Sequence, residues 1–201
     1  MKKQSNVAFF VRVAGVLLLI ATIVAGMLAA VNMITRDRIA ENKVKEVNEK
    51  ISALFECEVE KEDIEGNFDE SVTDLWLIKS EGKEIGHCVR LGTKGYGGTI
   101  DMMVGFAPDG SIIGIQIVDA SSETAGLGSR VAGEPFLSQF KGKSGELAFG
   151  EGVDAISGST VSSRGVLAGV NLARKTYEDA VGVPADENDE NEETEEEEVP
   201  Q

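Results

Sequence analysis

The chain has 201 residues, 42% of them hydrophobic, and sets 35 acidic against 19 basic side chains for a formal net charge of −16. That is enough apolar material for one domain with a core, and the charge balance argues against nucleic acid or an anionic membrane surface as a ligand. Two cysteines far apart, Cys57 and Cys88, and a single histidine, His87, exclude an iron–sulfur or zinc site built by this chain alone.

Residues 1–12 hold Lys2, Lys3 and Arg12 and no acid. Residues 13–34, "VAGVLLLIATIVAGMLAAVNMI", are uncharged and have the length that crosses a bilayer as a helix. A cleavable signal peptide would need a shorter apolar core, so a retained transmembrane anchor is expected. The lysines and arginine before it put residues 1–12 in the cytoplasm and everything after Ile34 outside it. The protein is then a single-pass protein of the cell inner or plasma membrane. With no ionisable side chain in the span, an ion path should lie elsewhere.

Over 35–56, Val44, Val47, Ile51, Leu54 and Phe55 recur at three- and four-residue spacings and predict an amphipathic juxtamembrane helix. Short β-rich runs follow at 75–78, 84–91, 99–106 and 111–118. "APDG" at Ala107 to Gly110 is a turn signal that makes the last two an antiparallel hairpin. A glycine-rich loop leads to a short helix around "EPFLSQF", with Pro135 in its first turn. In the final helix Val166, Val170, Ala173, Tyr177 and Val181 mark one face. Strands grouped between helices predict an α+β domain over 57–183. Residues 184–201 are an acidic tail with almost nothing apolar to bury, predicted to be disordered.

Small residues gather in "GTKGYGGTI" (Gly92 to Ile100), "SSETAGLGSR" (Ser121 to Arg130) and "DAISGSTVSS" (Asp154 to Ser163). Three such loops in one small domain suggest a shared cleft. The third stands at a predicted helix N-terminus, where unpaired N–H groups favour a phosphate. Its hydroxyls at Ser157, Ser159, Thr160, Ser162 and Ser163 suit either helix capping or that phosphate site. "SQFK" at Ser138 to Lys141 fits a Ser-x-x-Lys pattern but lacks its companion motifs, and is read as chance. A disulfide between Cys57 and Cys88 is allowed outside the cytoplasm and stays open.

"DAISGST", Asp154 to Thr160, resembles the Asp-x-x-Ser/Thr-Gly-Ala-Thr flavinylation motif of the FMN-binding domain of Rnf-type electron-transport complexes and the sodium-pumping NADH:quinone reductase. "GYGGTIDMMVGFAPDGSIIGIQIVDASSETAGLGSRV", Gly95 to Val131, resembles the same family's Gly-Tyr-Gly-Gly strand, hairpin and Glu-Thr-Pro-Gly-Leu-Gly loop. The short length and single span resemble the G subunit of the Rnf complex. The alternatives are the C-type subunit of the quinone-reducing pump and a non-redox anchored extracytoplasmic binding module.

The resemblance implies FMN joined covalently to Thr160 through a phosphoester, installed by a flavin transferase that uses FAD. It implies a cleft formed by Tyr96, Gly97, Gly98, Glu123, Thr124, Gly126, Leu127, Gly128, Asp154, Ser157, Gly158 and Ser159. Glu123 is the candidate tuner of the flavin. It further implies an electron-transferring subunit of an ion-translocating oxidoreductase, with other membrane subunits as partners, no catalytic side chain and no metal of its own. The sequence departs from the family at Ala125, where proline is usual, and at Ser159, where alanine is usual.

Overall fold

Between Gly26 and Gly66 the chain contains neither proline nor glycine, so nothing local interrupts a helix once it has started. The structure, a computed structural model, describes residues 5–182, with side chains at 9–35 and 44–182, and its first element is one uninterrupted helix, α1 (Ser5–Phe55). The expected apolar and amphipathic helices, 13–34 and 35–56, are therefore a single element. The acidic tail at 184–201 and the charges of Lys2 and Lys3 lie outside the described residues.

The chain divides into two units, Met1–Val47 and Asn48–Gln201. In the first, Phe9–Thr35 is long and apolar enough to cross a membrane. Its two threonine hydroxyls, on Thr22 and Thr35, donate to the carbonyls of Leu18 and Val31 at 2.8 and 2.6 Å. A hydroxyl satisfied by its own helix needs no water, which suits an apolar surrounding.

In the second unit the last turns of α1 are followed by a five-stranded antiparallel sheet in sequential order: β1 (Glu60–Asp63), β2 (Val72–Ser80), β3 (Lys83–Lys94), β4 (Thr99–Phe106) and β5 (Ile112–Asp119). The β4–β5 turn closes where "APDG" predicts, with the Gly110 N–H donating to the Ala107 carbonyl and the Ala107 N–H to the Ser111 carbonyl, each at 2.9 Å. β1 escapes sequence reading because "EKED" has no apolar alternation. Pairing with β2 and a 2.7 Å bond from Trp76 Nε1 to Asp63 hold it to the sheet edge. Beyond β5 come a 3-10 turn at Gly128–Ala132, the short helix α2 (Glu134–Leu137) with Pro135 in its first turn, a second 3-10 turn at Ser138–Phe140, and α3 (Thr160–Val181). The α+β architecture is as expected.

Both sides of the sheet are covered. Val166, Val170, Ala173 and Tyr177 of α3 are buried in one cluster with Val89, Leu91, Met102, Val104 and Phe106, each fully buried aliphatic side chain stabilising by about 1.5–3 kcal/mol. Val181 does not share this environment: it lies exposed in the last turn, just before Gly182 ends the helix in the left-handed conformation. On the opposite side Ile51 and Leu54 of α1 are buried. There the register partners Gly105 and Gly114 make room for Leu54, since a Cβ on either would come within 2.7 and 3.0 Å of its methyl carbons.

Both cysteines are free. Cys88 is buried in β3 and its thiol is pushed up to about 12 by burial. Cys57 is half-buried just after α1. The thiolate is the reactive form, so brief alkylation of the native protein is expected to modify Cys57 alone, and both residues only after denaturation. Peptide mapping checks this, and a Cys57–Cys88 peptide in non-reduced material would contradict it.

His87 is buried with its ring 5.3 Å from that of Tyr177, and its Nδ1 has no hydrogen-bond partner. Burial holds its pKa below the usual histidine value, against a smaller opposing pull from Glu84. Between that lowered folded value and about 6.5 the unfolded chain binds more protons, so stability declines as pH falls below about 6.5 and is unaffected by this group above it. Urea midpoints across that window are expected to lose this contribution to the slope in His87→Leu; an unchanged slope would contradict the assignment.

Candidate functional site

Three loops converge at the start of α3. The first is the tip of the β3–β4 hairpin, closed by the Gly95 N–H donating to the Gly98 carbonyl at 2.8 Å. The second runs from Ala120 to Gly128. There the N–H groups of Leu127 and Ser129 both donate to the Thr124 carbonyl at 3.2 Å, and the Gly126 N–H donates to Ser129 Oγ at 3.0 Å. The Ser129 hydroxyl thus braces a loop that has Ala125 where proline would stiffen it. The third is Asp154 to Ser159, where Gly158 adopts φ +79° and the Ser159 N–H donates to the Ile156 carbonyl at 2.9 Å.

Glu123, in the second loop, ties the first loop to the start of α3. Only 6% exposed, its carboxylate accepts the Gly97 N–H at 3.0 Å through Oε1 and the Ser162 hydroxyl at 2.6 Å through Oε2. A Cβ on Gly95 or Gly128 would fall within 2.2 Å of these two oxygens, so both glycines are needed for the carboxylate to fit. Glu123 is therefore neither a solvated loop acid nor part of the cavity lining. It is a buried acceptor, and two partners offset the cost of burying its charge.

The loops enclose a cavity of about 550 Å³ lined by Tyr96, Thr124, Leu127, Gly128, Gly158, Ser159, Thr160, Val161 and Ser162. Tyr96, Leu127 and Val161 are 73%, 50% and 51% exposed, an apolar rim unusual for a surface loop region. Thr160 is exposed and is the first residue of the 22-residue α3. Seven of the thirteen residues expected from sequence thus meet around one cavity. Asp154 and Ser157 instead line a neighbouring cavity of about 400 Å³ together with Arg130, Pro135 and Gln139, and Gln139 Oε1 accepts the Asp154 N–H at 2.7 Å. Gly97 and Gly98 pack against Ser122 behind the site, and Gly126 stands at the loop tip with open space around it.

The hydroxyls do not cap the helix. Ser159 occupies the N-cap without a side-chain bond, and Ser163 Oγ accepts the Ile156 N–H at 3.1 Å while donating to the Ser159 carbonyl at 3.0 Å. Ser162 is committed to Glu123. Ser159 Oγ, 5% exposed, has no partner. Val161 was not anticipated as a lining residue; its one signal is an apolar side chain set between hydroxyls at a helix start.

Residues 95–175 match the family described as the FMN-binding domain, and residues 1–52 match the RnfG N-terminal region. The G subunit of the Na(+)-translocating ferredoxin:NAD(+) oxidoreductase complex of Acetobacterium woodii is 34% identical over 188 residues, covering 82% of this chain and 89% of its own length. The chain belongs to the family of Rnf G subunits. A second family relative, the G subunit of the proton-translocating ferredoxin:NAD(+) oxidoreductase complex of Clostridium ljungdahlii, is 30% identical over 155 residues, 73% of this chain and 80% of that one. Among solved structures, Shewanella oneidensis NqrC overlaps 51% of this chain and 53% of its own at 28% identity, with a TM-score of 0.41.

The residues present fit the FMN that such a domain binds. An exposed apolar rim can cover a planar ring, and the cavity is lined by the first turn of a long helix whose N-terminal N–H groups have no side-chain cap and suit a phosphate.

Proposed function

We propose that the chain is a membrane-anchored electron carrier that holds FMN as a phosphoester on Thr160. It would serve as the G subunit of an Rnf-type ferredoxin:NAD oxidoreductase that couples electron transfer to ion translocation. The observation that carries the reading is that Thr160 is exposed at the first position of α3, on the wall of the cavity with the apolar rim. In the attachment step Thr160 Oγ bonds to the phosphorus of the FMN half of FAD on a flavin transferase. The bond between the two phosphates breaks, AMP leaves with the electron pair, and the hydroxyl proton is released.

A bound flavin supplies one- and two-electron transfer, so no side chain need act as acid or base. The chain's own residues bind and shield. Tyr96, Leu127 and Val161 would cover the ring against water, the first turn of α3 would meet the phosphate charge, and Glu123 ties the hairpin tip to the start of α3. Asp154 and Ser157, facing the neighbouring cavity, would shape the loop that presents Thr160. Residues 13–34 would form the single span with residues 1–12 in the cytoplasm and the FMN domain, 57–183, outside. Electrons would pass to and from other membrane subunits, and the ion path would lie in those subunits.

The test is denaturing mass spectrometry and in-gel flavin fluorescence of the full chain from a host that contains the transferase. One FMN ester is expected on the Thr160 peptide and none in Thr160→Ala. A native chain without added mass would overturn the reading in favour of a non-redox binding module.

A further inference from the structure

The loop that leads into α3 is fastened at its two ends by different devices. At its C-terminal end it is tied to α3: the Ile156 N–H donates to Ser163 Oγ at 3.1 Å, and the Ser159 N–H donates to the Ile156 carbonyl at 2.9 Å. At its N-terminal end Asp154 is tied to another part of the chain. Gln139, in the 3-10 turn Ser138–Phe140, accepts the Asp154 N–H at 2.7 Å through Oε1, and its Nε2 makes longer contacts with the carbonyls of Asp154 and Pro135 at 3.5 and 3.4 Å. One carboxamide thus meets both backbone polar groups of Asp154, as a neighbouring strand would. The residue itself stays exposed on the wall of the cavity of about 400 Å³ that Ser157 and Arg130 also line. Thr124 and Ser157 are exposed on the same two cavities as Thr160. Exposure therefore does not single out Thr160, and an enzyme that modifies it alone must read the surrounding loop.

We propose that Gln139 is a positioning residue for the modification of Thr160: by holding the Asp154 backbone it keeps the loop 154–159 in the arrangement that a flavin transferase recognises. The inference rests on the reading of Thr160 as the attachment point. A loop that visits several arrangements presents the recognised one for only a fraction of the time, and its apparent affinity falls by that fraction. Losing the Gln139 bond should therefore weaken binding of the chain to the transferase. The transfer step on the bound chain should be unchanged, because Thr160 belongs to α3 and Gln139 does not touch it.

The experiment follows transfer from FAD by a purified flavin transferase to the full chain, prepared unmodified in detergent as the native protein, Gln139→Met and Gln139→Glu. Methionine keeps the volume and removes the hydrogen bonds, whereas glutamate keeps the acceptor. In-gel flavin fluorescence gives KM and kcat for each chain, which separate binding from the transfer step, and amide exchange reads the Asp154 N–H. Gln139→Met is expected to raise KM roughly threefold to tenfold, the equivalent of one lost hydrogen bond, at unchanged kcat. The Asp154 amide should exchange faster while the sheet amides exchange as in the native chain, and Gln139→Glu should fall between the two. A native KM in Gln139→Met overturns the inference and leaves attachment at Thr160 intact. A lower kcat at native KM places the effect after binding and overturns it as well. Faster exchange throughout the domain would make Gln139 a general support of the fold, which also overturns the role. A native chain that takes up no flavin removes the attachment reading and this inference together.

Discussion

Glu123→Ala is expected to lower the unfolding free energy of the domain by about 2–4 kcal/mol, because two donors, one of them the buried Ser162 hydroxyl, lose their acceptor in one step. For a domain of this size that corresponds to a fall of roughly 5–15 °C in Tm. The loss should also be local. With its acceptor gone the Gly97 amide is expected to exchange with solvent faster, and the hairpin tip carrying Tyr96 should loosen from the start of α3. Glu123→Gln should cost less, since its carbonyl can still accept from the Gly97 N–H while its NH2 group donates to the Ser162 hydroxyl, which turns from donor to acceptor. Calorimetry and amide exchange on the three proteins decide the matter. An alanine variant that melts like the parent with a protected Gly97 amide would show that the carboxylate is not the link between the loops.

Gly165→Ala should be comparably damaging, although helix propensity alone predicts a gain of about 1 kcal/mol from replacing a glycine inside a helix. The added Cβ would lie 2.4 Å from the Lys94 carbonyl oxygen and 3.1 Å from its carbon. These are backbone atoms at the end of β3 and cannot swing aside as a side chain could. The same contact carries the bond from the Thr93 hydroxyl to the Gly165 carbonyl at 2.7 Å. Forcing α3 away from β3 is expected to cost about 1–3 kcal/mol beyond the propensity gain. It should also shift Thr160 relative to Tyr96 and Leu127, so flavin loading should fall along with Tm. An equal or higher Tm would mean that the strand end yields easily and that the position of α3 is set elsewhere.

These two residues mark the boundary of what is readable from sequence. Glu123 stands in a loop rich in small and polar residues and reads as a solvated acid or a residue beside the ligand. Its partners lie 26 and 39 positions away, and no periodicity records such a pairing. Gly165 reads as an ordinary break in helical preference, and its reason is a strand 71 residues earlier. The same limit explains why "DAISGST", legible as one motif, divides in space. Gly158 turns the chain with positive φ, so Asp154 and Ser157 face one cavity while Ser159 and Thr160 face the next.

What the sequence determined by itself is local. The period of two in 99–106, the turn residues of Ala107 to Gly110 and the apolar spacing of Val166, Val170, Ala173 and Tyr177 specify a strand, a hairpin and a buried helix face, because each depends on neighbours within a few residues. The uncharged run at 13–34 likewise identifies a helix able to cross a membrane from length and composition alone. Only the tertiary structure decided which hydroxyl is exposed and which is buried at the start of α3, and that Glu123 supports the cavity from behind. Burial and hydrogen bonding there are set by loops brought together from three distant parts of the chain, and their cost or benefit exists only once those loops have met.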